Sequence, residues 1–394
     1  MNMRFFITIV LLLSGFYSDI LGQNIIDSLA IQPDSLTIDE KEILRKQSLA
    51  TDFSHTLHKI GDPSIASFAF SDFTHNTDPS LQKKPFILNT TIQPIISIGS
   101  KRWYVGNYIH TFQIIPSVTI RVFENDSNFH DHSLPVRTPS FIARFNYLFS
   151  HAKLWNESSR YKIYFGMSFF HHSNGQDGYE FNPNGTVNVY NGNFSEVMVM
   201  EFLTGGMKII KAPVSDLKYG FKKKGMRRIQ ISSNDKMAYW KLSYENHPKS
   251  LTTLRFLDYH MYGRNRLNLQ LGYLFNPKSR QVVYSKQRQK WVPLENSFHN
   301  RETRRIVFNM SYIMDAVYNT SSFKTLEPVG FFDASKRLNL DLTWYERIGL
   351  TNDYAIFVRL GYYGSDPYNI YFQQSIFVAR AGIAFGNFMM GEKK

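Results

Sequence analysis

A histidine and a serine stand two residues apart at His171 and Ser173, within RYKIYFGMSFFHHSNGQDG (160–178). An imidazole beside a hydroxyl can take its proton, and that transfer is what turns a serine into a nucleophile. Two residues apart on a strand, both side chains leave the same face. The turn dipeptide Asn174-Gly175 follows at once, and its backbone amides can point toward a developing oxyanion. His-x-Ser pairs are common, however, and the same two residues at a strand end also suit simple contact with lipid headgroups.

The strand carrying this pair alternates. Tyr161, Ile163, Phe165, Met167 and Phe169 form one apolar stripe, which His171 and Ser173 continue. Lys162, Tyr164, Gly166 and Ser168 oppose it, with Phe170 as an apolar exception. Other segments repeat the pattern. In 139–150, Phe141, Ala143, Phe145, Tyr147 and Phe149 oppose Ser140, Arg144, Asn146 and Ser150. In 266–275, Leu267, Leu269 and Leu271 oppose Arg266, Asn268 and Gln270. In 337–344, Leu338, Leu340, Leu342 and Trp344 oppose Arg337, Asn339, Asp341 and Thr343. In 355–362, Ile356, Val358 and Leu360 oppose Phe357 and Arg359. Period two predicts strands with one apolar and one polar face.

From Lys84 onward such stretches recur between Asn, Gly, Asp, Ser and Lys, about twelve in all, the even number that a bacterial transmembrane barrel requires. The expected fold is therefore an all-β, antiparallel transmembrane barrel with an N-terminal extension. Its apolar faces meet lipid and its Arg, Asn and Asp residues line the interior. A soluble sandwich, with the faces reversed, is the competing fold. The chain nearly ends with the strand VARAGIAFGNF (378–388), which closes in Phe388 as the targeting strands of outer-membrane proteins do.

The sequence opens with the layout of a secretory signal peptide. Arg4 precedes an apolar run from Phe5 to Leu13, and Gly22 offers a cleavage point. That run is too short to span a bilayer well, which takes roughly 20 apolar residues. The expected division is a signal peptide over 1–22, a periplasmic extension or plug over 23–83, the barrel over 84–388 and a short tail over 389–394. Within the extension, DEKEILRKQSLATDFSHTLHKI (39–60) reads as a helix. The chain has no Cys, so disulfides, thiolate metal sites and cysteine nucleophiles are excluded. Its 23 Tyr and 33 Phe make it rich in aromatic residues, as membrane barrels are. The net charge is +13, with basic runs at 218–228 and 285–305. For an exported chain, nucleic acid is a poor partner, and anionic headgroups or plain solvated turns account for the charge.

His171-His172-Ser173-Asn174-Gly175 resembles the His-x-Ser-Asn-Gly signature of the outer-membrane phospholipase A family. A second segment, Ser133-Leu134-Pro135-Val136-Arg137, resembles the family's Ser-Ser-Pro-Phe-Arg run into the preceding strand. The resemblance implies a twelve-stranded barrel in the outer membrane of a Gram-negative bacterium, acting on membrane phospholipids with calcium. It implies Ser173 as nucleophile, His171 as base and backbone amides near Ser173 and Gly175 as the oxyanion site. It also implies Ser133 and the carbonyl of Gln176 as calcium ligands. Asn193, in Gly-Asn-Phe-Ser at the start of the next strand, is chosen as the residue that orients the imidazole. Against it, Asn193 shares odd parity with Glu201, a residue suited to the interior, unless a bulge resets the parity. Asn188 and Asn191 stay open as alternatives. A homodimer is compatible with the resemblance, although the family's Tyr-Thr-Gln and tryptophan-rich segment is not found.

Two other functions compete. Lipid A deacylases also carry His-x-Ser-Asn with a glutamate as third member, a place that Glu180 or Glu196 can take. A pore, transporter or structural barrel without chemistry is the other, and the basic charge would suit anion passage.

Overall fold

The computed structural model describes residues 37–74, 86–98, 104–123, 136–155, 161–173, 195–210, 222–223, 226–231, 236–248, 264–275, 280–285, 290–293, 304–314, 318–322, 325–328, 330–348, 354–364 and 376–386. Twelve strands carry the architecture: β1 (Ser64–Thr74), β2 (Phe86–Ile92), β3 (Tyr108–Phe123), β4 (Val136–His151), β5 (Tyr161–Ser173) and β6 (Ser195–Ile210). They continue as β7 (Lys236–Asn246), β8 (Asn265–Phe275), β9 (Arg304–Ile313), β10 (Leu338–Arg347), β11 (Tyr354–Tyr363) and β12 (Ile376–Phe385). Each pairs antiparallel with its neighbour in sequence, and β1 pairs with β12, so the sheet closes on itself. Closure leaves no edge of the wall with unpaired backbone groups, the condition for a sheet placed in lipid.

The two faces of the wall decide between barrel and sandwich. Polar residues point inward and are buried, among them Gln113, Asn146, Ser168, Glu201, Arg305 and Arg380. Large apolar residues point outward and are exposed, among them Phe145, Phe202, Trp344, Ile356, Val358 and Leu360. This is the reverse of a water-soluble sheet protein and fits hydrocarbon as the outer solvent. The alternations expected in 139–150, 266–275 and 355–362 fall in β4, β8 and β11, and that of 337–344 falls in β10 from Leu338 onward, Arg337 closing a short helix (Ala334–Arg337); the polar faces point inward.

The barrel begins earlier than the expected boundary at residue 84, because β1 starts at Ser64. Its register against β12 shifts between Ala69 and Ser71. An extra residue at a bulge breaks the period of two, so SIASFAFSDFT does not read as one alternating strand. At the other end of the chain β12 closes at Phe385, and Phe388 lies outside the described residues, as do 1–36 and 387–394.

Among the described residues a single long helix, α1 (Ile38–Lys59), occupies the lumen at the end where Ser64 pairs with Phe385. It starts cleanly: the Thr37 hydroxyl accepts from the Glu40 amide while the Glu40 carboxylate accepts from the Thr37 amide. Two orphan amides of the first turn are thereby satisfied, and these bonds hold the Glu40 carboxyl below its ordinary pKa. Leu49, Ala50, Phe53 and Leu57 recur at helical spacing and form its buried face, which Ile60 extends. They pack on inward residues of the wall, including Ile109, Leu148, Tyr164, Leu203, Met207 and Leu274. Phe53 is fully buried and meets Trp155 edge-on at 4.6 Å between ring centroids. Burial of one such ring contributes about 2–3 kcal/mol. The Asp52 carboxylate accepts from the Trp155 indole N–H at 3.0 Å and pairs with the Lys162 ammonium at 2.5 Å.

The wall around the helix is packed closely. A Cβ at Gly205 would stand 2.3 Å from the Tyr164 ring, and one at Gly272 would stand 2.0 Å from the Tyr239 ring. Only glycine lets these tyrosines lie across the neighbouring strand. Beyond the helix the lumen holds a cavity of about 430 Å³ lined by polar groups such as Gln113, Arg144, Glu201 and Arg359. Outside the barrel path, 222–223, 226–231, 280–285 and 290–293 form a separate four-stranded sheet. It is built from the basic connections that follow β6 and β8 at the helix end of the barrel.

Candidate active site

His171 and Ser173 are the outward residues that finish β5, at the end of the barrel opposite α1. The strand's exposure alternates along its length: Lys162, Tyr164, Gly166, Ser168, Phe170 and His172 are buried. His171 is exposed and Ser173 is half-buried on the other face. The pair therefore continues the apolar wall formed by Phe165, Met167 and Phe169, as the parity of the sequence requires. On β4, Ala143 lies opposite His171 and Phe141 opposite Ser173.

Register with β6 bears on the third member. Phe170 pairs with Val199, whereas His172 pairs with Glu196 and Ser173 with Ser195. Two residues of β5 thus span three of β6, the signature of a bulge. Along the lower part of β6 the odd residues Val199, Glu201 and Leu203 are buried inside. Beyond the bulge the odd Ser195 is the partner of the outward Ser173, so the parity count along β6 has changed. Glu196 is paired with the inward His172 and not with Ser173. Asn193, Asn188, Asn191 and Glu180 lie outside the described residues, as do Ser133, Gly175 and Gln176.

The inner face of the same strand end was not singled out from sequence. The His172 Nε2 and the Ser140 Oγ are 2.7 Å apart, tying β5 to β4 from the lumen side. Phe170, the apolar exception, is covered by the Arg144 guanidinium at 4.3 Å. Arg144 donates to Glu201 at 2.7 Å, and Ser243 also donates to Glu201. On β7 the Glu245 carboxylate contacts His247 at 2.7 Å and accepts from Asn268 on β8 at 3.2 Å. A polar layer thus crosses the lumen beneath the strand end and satisfies its buried charges with partners. The sequence signal for it was available in part: Ser140, Arg144 and Glu201 all fall on the inward parity. Their pairing needs the strand register, because Ser140 and His172 are 32 residues apart in the chain.

Among the described residues no group of three or more His, Cys, Asp or Glu side chains is arranged to hold a metal ion. The expected calcium ligands are of another kind, a serine hydroxyl and a backbone carbonyl. Oxygen donors of that type suit a hard cation.

No protein-family model matches the chain, and no curated protein matches it. Solved structures do. Outer membrane phospholipase A from Escherichia coli matches with 10% identity and a TM-score of 0.40 over 82% of this chain and 90% of that one. An active-site mutant of the same protein matches with 10% identity and a TM-score of 0.41, over 86% of this chain and 98% of that one. The Salmonella typhi outer membrane phospholipase dimer with bound calcium matches with 11% identity and a TM-score of 0.39, over 82% and 91%. The class is given by the strand topology and the two faces of the wall, a closed membrane-type β-barrel.

Proposed function

We propose that the chain is an outer-membrane phospholipase, hydrolysing acyl esters of glycerophospholipids through Ser173, His171 and Asn193. The observation that carries this reading is the position of His171 and Ser173 together on the outward, apolar face at a strand end. A lipid ester reaches that face from the bilayer, whereas a nucleophile in the lumen would meet only the polar interior.

In the first step the Ser173 Oγ attacks the ester carbonyl while His171 takes its proton. The tetrahedral oxyanion is stabilised by the amides of Ser173 and Gly175. The carbonyl re-forms, the C–O bond to the leaving alcohol breaks, and His171 returns the proton to that alcohol. Water, deprotonated by His171, then attacks the acyl-serine. Fatty acid leaves and Ser173 regains its proton. Asn193 would hold the imidazole in the required orientation. The change of parity along β6 supports it, since Ser195, which shares the odd parity of 193 in the sequence, pairs with the outward Ser173. Calcium, bound by the Ser133 hydroxyl and the Gln176 carbonyl, would add positive charge beside the oxyanion.

The lipid A deacylase reading requires a glutamate in place of Asn193. The pairing of Glu196 with His172 does not favour it. The decisive experiment is phospholipid turnover by purified, refolded protein in calcium or in chelator, with Ser173→Ala as control. Hydrolysis that needs both calcium and Ser173 supports the proposal. Hydrolysis unchanged in Ser173→Ala removes it.

A further inference from the structure

The outward wall beside the candidate site is not uniform, and its relief can be read from strand register. Residues paired across strands share a face and form rows across the sheet. Three strands, β3, β4 and β5, build the rows next to His171 and Ser173. One row is Val118–Phe141–Ser173, and another is Ile114–Phe145–Phe169. Between them runs Pro116–Ala143–His171. The rows farther toward the helix end, through Phe112–Tyr147–Met167 and His110–Phe149–Phe165, are bulky throughout. Only the row that ends on the histidine has small side chains at both other positions.

The result is a furrow across the wall. Its floor is Ala143 and Pro116, and its ridges are Phe141 and Phe145, which stand four residues apart on β4, about 14 Å. Phe145 is 54% exposed and Ala143 is exposed between the two rings. One end of the furrow is polar, at His171 and Ser173, and the rest is aliphatic or aromatic. It opens on the outward face, where the solvent is hydrocarbon, so the occupant must come from the bilayer.

We infer that this furrow holds the acyl chain of the ester under attack, and that Ala143 sets which chains reach Ser173. The inference rests on the hydrolase reading and adds to it the residue that selects the substrate. A chain lying over Ala143 brings its carbonyl end to His171 and Ser173 while its methylenes pack between Phe141 and Phe145. A larger side chain at 143 fills the floor. It penalises a long acyl group and spares a short one that ends before the furrow.

The test uses full-length refolded protein and p-nitrophenyl esters of butyrate and palmitate in mixed micelles. Ala143→Phe should lower the palmitate-to-butyrate ratio of kcat/KM by about tenfold, the size expected when a pocket loses room for a few methylenes. Ala143→Leu should lower it less. Val358→Phe, a similar enlargement on the outward face of β11, should leave the ratio unchanged. Folding of each variant is checked by its heat-dependent shift in gel mobility. An unchanged ratio in folded Ala143→Phe and Ala143→Leu overturns the furrow while leaving the hydrolase intact, provided Ser173→Ala abolishes both activities. If Ser173→Ala hydrolyses both esters at the wild-type rate, the hydrolase reading fails and the furrow with it.

Discussion

The two faces of β5 share one backbone and do different work. Inward, Lys162 is paired with Asp52, Ser168 donates to Asn146 at 2.8 Å, and His172 is joined to Ser140. Every one of these contacts ties the strand to another element of the fold. Outward, the same strand presents Phe165, Met167, Phe169, His171 and Ser173 to the surroundings. Adjacent histidines thus have opposite duties: His172 holds the wall together and His171 faces the lipid. On the proposed reading, the barrel separates stability from chemistry by parity alone, because a side chain has no route from one face to the other.

Substitutions on the two faces should therefore fail in different assays. The largest effect is expected at His171. His171→Ala should cut phospholipid hydrolysis by roughly 10⁶-fold, as loss of a triad histidine does, with unchanged urea unfolding. Next is the helix in the lumen. Phe53→Ala should lower the unfolding free energy by about 3–5 kcal/mol, the usual range for a fully buried ring, read from urea titration of the refolded protein. His172→Ala should cost less, about 1–3 kcal/mol, since it leaves the buried Ser140 hydroxyl without that partner. Ser140→Ala should cost less again, and the double variant should fall short of the sum. A His172→Ala protein that loses hydrolysis as completely as His171→Ala, with normal stability, would erase the distinction between the faces.

Much of this was legible in the sequence. The strands around Phe145, Leu269, Leu342 and Val358 announce themselves because apolar and polar residues alternate without a break. The outward position of His171 and Ser173 follows from the same count. What escaped depends on contacts between distant segments or on broken periods. β1 was hidden by the bulge between Ala69 and Ser71. The change of parity along β6 could be named in advance only as a condition, since a bulge is set by the partner strand and not by local composition. The amphipathic pattern of α1 is visible, yet its site is decided by residues of β3 to β8 that line the lumen near Trp155. His172 read as the unnamed middle residue of a motif until register put Ser140 beside it.

The most direct measurement of the central claim is covalent labelling of the refolded protein by a fluorophosphonate carrying a long alkyl chain, with the modified peptide identified by mass spectrometry. A single stoichiometric adduct on Ser173, lost in His171→Ala and retained in His172→Ala, is the expected result. Absence of label on Ser173 while the protein still hydrolyses phospholipid would contradict a serine hydrolase at this place on the outer wall.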